Sequence, residues 1–108
     1  MRKITQEAVE AFDNSYSYKN GNTKETVDEL EVRLYLFGNV IARKIRANCK
    51  VEISSCGYTT ATTRERLNGL LARYNYNLGR VFIKDFAFYY ENSEKTILSL
   101  DESYITIS

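Results

Sequence analysis

Residues 32–53 carry the pattern that most restricts the fold. Val32, Leu34 and Leu36 alternate with Arg33, Tyr35 and Phe37, and a period of two is that of a strand with unlike faces. Gly38-Asn39 follows. Glycine at the first position of a two-residue loop suits a type II′ hairpin. Val40 to Ala47 reads as the return strand, Asn48-Cys49 as a second turn, and Val51 and Ile53 as the start of a third strand. With Thr23–Val27 as a fourth member if it pairs, this is an antiparallel meander. Such sheets keep one face on a core and the other in water. Arg33, Arg43, Lys44, Arg46 and Lys50 are expected at its exposed positions and edges.

Two helices flank the meander. Thr5 reads as an N-cap with Glu7 near the positive end of the dipole, and Ala8, Val9 and Phe12 supply an apolar stripe. That helix should stop near Asp13-Asn14 and is too short to stand alone. Residues 14–24 are turn-forming, with Asn20-Gly21 the strongest signal. Tyr16 and Tyr18 are expected to fold back on the core, or else to form an exposed contact pair. Thr62 and Glu65 make a Thr-x-x-Glu capping box for the second helix. Leu67, Leu70, Leu71 and Tyr74 then fall on one stripe, which puts Arg64, Arg66 and Arg73 off it. Gly69 costs up to about 1 kcal/mol inside a helix, which a close packing contact would justify.

The chain closes on strands. Val81–Ile83 and Phe86–Tyr90 lie either side of Lys84-Asp85, and with both faces apolar they should be central or covered on both sides. Ile97–Leu100 and Tyr104–Ile107 read as a last hairpin turning near Asp101-Glu102. The expected fold is α+β: a single antiparallel sheet, meander plus C-terminal strands, with two short helices packed on it. With 108 residues, residues 1–108 should form one domain.

Composition excludes more than it proposes. There is no His, which rules out serine triads and Cys–His dyads and removes the commonest metal ligand. Cys49 and Cys56 are joined by a strand-like segment that would hold them about 20 Å apart, beyond the roughly 7 Å a disulfide tolerates. They are read as reduced thiols of a cytosolic protein. No apolar run approaches the ~18 residues of a membrane span, and no signal sequence is apparent. The acidic cluster Glu25, Asp28, Glu29 and Glu31 is expected to be solvated surface charge, because catalytic carboxylates need burial or a close neighbour. No motif supports an enzyme, and no cofactor or metal is implied.

Charge is the one feature above background. Residues 43–84 hold nine basic and two acidic side chains, while residues 1–42 and 85–108 are net acidic. Arg43, Lys44, Arg46, Arg64, Arg66 and Arg73 are interleaved there with Tyr58 and Tyr76. Tyr and Arg anchor protein interfaces, and Lys/Arg with aromatics also suits nucleic acid. The sequence pI of about 7.7 falls below the value above 9 typical of basic nucleic-acid domains.

Several stretches carry a resemblance: MRKITQEAVEAF at the N-terminus, GNT at 21–23, LYLFGNVIA at 34–42 and GYTTATTRERLNGL at 57–70. Over about its first two thirds the chain resembles a family of small proteins carried by tailed bacteriophages, a group that brings no established activity or site residues. The Phe/Tyr-rich segment and acidic tail depart from that pattern. The setting implies a non-enzymatic accessory protein that binds a host macromolecule in the host cytoplasm, of the host-takeover or counter-defence type. The expected partner is a host protein, with nucleic acid and self-association as alternatives and no membrane. The expected contact residues are Arg43, Lys44, Arg46, Tyr58, Arg64, Arg66, Arg73 and Tyr76.

Overall fold

The computed structural model describes residues 2–57, 60–74, 79–92, 94–101 and 103–107. Helix α1 spans Lys3–Asn14; strands β1 (Tyr18–Asn20), β2 (Thr23–Val27), β3 (Glu31–Leu36), β4 (Asn39–Ile45) and β5 (Lys50–Ile53) follow. Helix α2 (Ala61–Tyr74) leads to β6 (Arg80–Lys84), β7 (Ala87–Glu91), β8 (Ile97–Ser99) and β9 (Ile105–Thr106).

The meander is present and longer than the alternation alone implied. It runs β1-β2-β3-β4-β5 with β9 added beside β5. Thr23–Val27 does pair with β3, and β1 adds a strand in a segment expected to be turn. The β3–β4 hairpin turns on Phe37-Gly38 rather than Gly38-Asn39, because Leu36 pairs with Asn39. Both loop residues have positive φ, 51° and 82°, which is the type I′ rather than the II′ geometry. The register shifts between Leu34 and Tyr35, which face Ala42 and Val40, leaving Ile41 as the extra residue of a bulge. Ile41 and Ala42 are consequently both buried.

Both helices cover one face of this sheet. Ala8, Val9 and Phe12 from α1 meet Leu67, Leu70 and Leu71 from α2 over Val32, Leu34, Leu36, Val51 and Ile53. Phe12 is wholly buried, a burial worth about 1.5–3 kcal/mol, and packs edge-to-face on Tyr74 with ring centres 6.1 Å apart. Gly69 is buried beside Val9 and Glu10 where the helices meet. Helix α1 ends as expected, with Ser15 in the left-handed conformation (φ 58°) closing the last turn.

The single sheet is the expectation that fails. Strands β6, β7 and β8 form a separate three-stranded sheet. Asn68 explains the separation. Its side-chain amide donates to the Val81 carbonyl (3.1 Å) and accepts from the Val81 N–H (2.8 Å), as a neighbouring strand would. The backbone of β6 is thus tied to α2 instead of to a sheet edge. The proposed last hairpin does not form either. β8 pairs with β7 and β9 with β5, and the Ser55 hydroxyl lies between them, bonded to the carbonyls of Leu100 (3.1 Å) and Asp101 (3.0 Å). Val81, Phe88, Tyr90 and Leu100 complete the buried cluster from this second sheet.

Candidate functional site

The helix starts expected from sequence shift, and the shift moves the chemistry. The hydroxyl of Thr60, not Thr62, caps α2 by accepting from the Thr63 N–H at 3.1 Å. The N-cap of α1 is Arg2, without a side-chain cap bond. Thr5 therefore lies one turn inside α1 and is buried, and Glu65, freed from any capping box, reaches it. The Thr5 hydroxyl donates to Glu65 and accepts from Arg66 Nη1 at 2.6 Å.

Arg66 is thus the opposite of what its charge suggests. It is 1 % exposed, the largest fully buried side chain among the described residues. Its Nε reaches Thr23 Oγ1 (3.3 Å) and its Nη1 reaches Glu65 (3.3 Å). Burial pulls its pKa below the ordinary arginine value. Thr63, Arg66, Leu67 and Leu70 share the 3–4 spacing of the buried stripe, so the signal was in the sequence, overridden there by residue type.

The other basic residues do not gather on one face. Lys44 is buried, and its ammonium donates to the Asp13 carbonyl at 2.8 Å, where a cation suits the negative end of α1. Arg73 pairs with the Asp13 carboxylate at 2.8 Å, and the Tyr74 hydroxyl donates to the same carboxylate at 2.9 Å. Burial pushes the Asp13 carboxyl up, but these hydrogen bonds and the charges of Arg73 and Lys44 hold it net below the usual value. Arg43 lies on the sheet's open face, paired with Glu52 at 2.7 Å and stacked 3.9 Å over the Tyr104 ring. Arg46 donates to the Asp28 carbonyl at 2.8 Å. Arg64 is exposed and has no side-chain partner among the described residues. Tyr58 and Tyr76 lie outside the described residues.

The acidic cluster divides as well. Asp28 stays exposed and caps the β2–β3 turn through the N–H groups of Leu30 and Glu31. Glu25 does not stay in water. It is 2 % exposed, and neither carboxylate oxygen has a hydrogen-bond partner. Burial pushes its carboxyl up to about 9, against the opposing pull of the Lys44 charge.

Among the described residues the exposed large hydrophobics are Tyr16, Leu30, Phe37, Ile83, Phe86, Ile97 and Leu98, and two of them, Phe37 and Phe86, are aromatics at hairpin tips. Phe86 is 93 % exposed in the Asp85-Phe86 turn, where both residues have positive φ (51° and 64°). Behind it, Phe82 and Tyr89 stack at 5.6 Å, and the Arg80 guanidinium lies 4.6 Å from the Phe82 ring. A cleft of about 290 Å³ runs between Phe82, Lys84, Asp85, Tyr89 and Ile97. This face was expected to be covered. Along β6 Val81 is buried and Phe82 half-buried, while Ile83 and Lys84, nearer the tip, are exposed. Phe37, 62 % exposed at φ 51°, marks the other tip.

Among the described residues no helix is long and apolar enough to cross a membrane. No curated protein and no solved structure matches the chain. The family model for the Kyanoviridae Gp96 protein matches residues 1–106, including the aromatic segment and acidic tail, and the chain therefore belongs to this family of phage proteins.

Proposed function

We propose that the protein is a non-enzymatic phage accessory protein that binds a host protein in the host cytoplasm, in the manner of a host-takeover or counter-defence inhibitor. Family membership supports the phage setting. The observation that carries the contact is Phe86. A bulky side chain in left-handed backbone costs about 1–2 kcal/mol, and at 93 % exposure it recovers almost nothing by burial. Asn or Gly would make this turn at lower cost. A residue unfavourable to the free fold, and flanked by stacked Phe82 and Tyr89 with Arg80, has the make-up of an interface anchor. Of the arginines expected on α2, Arg66 is buried, Arg73 is exposed but paired with Asp13, and Arg64 is exposed with no side-chain partner among the described residues.

The segment 43–84 gives less support to a nucleic-acid reading than its charge suggested. Lys44 and Arg66 are buried, and Arg43 and Arg73 are matched by Glu52 and Asp13. The test is affinity capture from nuclease-treated host lysate with the wild type and with Phe86→Asn, a substitution the turn accepts. A specific host protein held by the wild type and lost with the variant is expected. An identical set of captured proteins for both would overturn the assignment of Phe86.

A further inference from the structure

The β1–β2 and β3–β4 turns lie side by side, joined by a hydrogen bond from the Phe37 N–H to the Asn22 carbonyl at 2.9 Å. Between them is a cleft of about 380 Å³ lined by Lys19, Asn22, Lys24, Tyr35, Phe37 and Gly38, within the size range of small-ligand sites. It opens on the sheet face away from the helices. Three features of it are unfavourable to the protein alone. Lys19 stands directly opposite Lys24 across the strands, and like charges so placed are destabilising. Neither ammonium has an acidic partner among the described residues. Phe37 is exposed and holds a left-handed backbone beside Gly38, a position that favours small polar residues. Tyr35 forms the floor, with the Lys24 ammonium 5.2 Å from its ring centre.

An anionic ligand that also carries a flat ring relieves the first two costs and uses the third. We propose that this cleft binds single-stranded nucleic acid, with a phosphate between Lys19 and Lys24 and a base stacked on Phe37. A paired base inside a duplex has no free face to offer, and an acidic peptide would satisfy the lysines but leave Phe37 without a partner. The site is separate from the Phe86 tip and shares no residue with segment 43–84.

Fluorescence anisotropy with labelled ten-nucleotide oligo-dT and oligo-U, the matching duplexes and an acidic peptide tests it. The single strands should bind tightest. One neutralised phosphate gives a salt slope near −0.7, so affinity should fall about 2.6-fold between 50 and 200 mM salt. Phe37→Asn, which suits the left-handed backbone and should not unfold the chain, should weaken binding about tenfold. The double variant Lys19→Ala/Lys24→Ala should weaken it and flatten the salt dependence. Preference for DNA or RNA identifies the sugar and supports the site in either case. Single strands bound no better than duplex or peptide, or affinities unchanged in both variants, would overturn it.

Discussion

Replacing Glu25 by Gln should stabilise the protein at pH 7 and leave its stability almost unchanged at pH 4. Glu25 is buried with both oxygens unpartnered, and its carboxyl stays protonated up to about pH 9 against an ordinary 4.5. Between those values the folded state holds a proton that the unfolded state has released. Folding stability therefore falls as pH rises, and the contribution is whole only below the unfolded value. At pH 7 the gap from 4.5 corresponds to about 3 kcal/mol at 1.36 kcal/mol per unit. Gln keeps the shape without the titration, so it escapes that cost. The melting temperature should rise on the order of 10 °C at pH 7. Asp13 and Asp28 titrate below their ordinary 3.8 and act at the acid end, outside the window from pH 5 to 8. Urea unfolding followed by circular dichroism at pH 4, 5.5, 7 and 8.5, at constant ionic strength, measures the difference. A variant no more stable than wild type at pH 7, or a gap that does not grow with pH, would refute the reasoning. Glu25 would then be ionised and held by Lys44.

Three further outcomes follow from named contacts. Arg66→Ala should cost about 3–5 kcal/mol, since it strips a buried cation from Thr5, Thr23 and Glu65, whereas Arg64→Ala should stay within about 0.5 kcal/mol; equal effects in chemical denaturation would contradict the burial. Asn68→Ala should cost about 1–3 kcal/mol by leaving the Val81 N–H and carbonyl unmatched, and hydrogen exchange should speed up in β6 before the meander; uniform loss of protection would contradict the strand-like role of Asn68. Phe86→Asn should raise stability by about 1 kcal/mol, read as a melting temperature several degrees higher; a lower one would mean that the turn depends on the phenyl ring.

The aromatic sites were half legible. Phe82 and Tyr89 alternate visibly with Val81 and Phe88, so a two-faced ribbon could be read, but which face lacks cover could not. Which face meets the core depends on how β6–β8 dock on α2, and Asn68 holds β6 there through a side chain whose partner is 13 residues away. Residue spacing makes Phe37 and Phe86 ordinary strand aromatics, because it puts the turn of each hairpin one residue away from Phe37-Gly38 and Asp85-Phe86. A one-residue change in the turn moves a residue from the strand to the tip.

The sequence by itself determined the local order. Periods of two and of 3.6 are properties of the backbone, so the meander, the two helices, the end of α1 and the burial of Leu67, Leu70 and Leu71 could be read from residue spacing alone. It also determined that no histidine chemistry operates here. Only the tertiary structure decided where charge goes. Arg66, Lys44 and Glu25 are buried because α1 crosses above them and brings Thr5 and the Asp13 carbonyl within reach. Whether a charged residue faces water or a partner depends on what lies opposite it. For Arg66 and Lys44 that is a segment 61 and 31 positions away in the chain, and no local pattern encodes it.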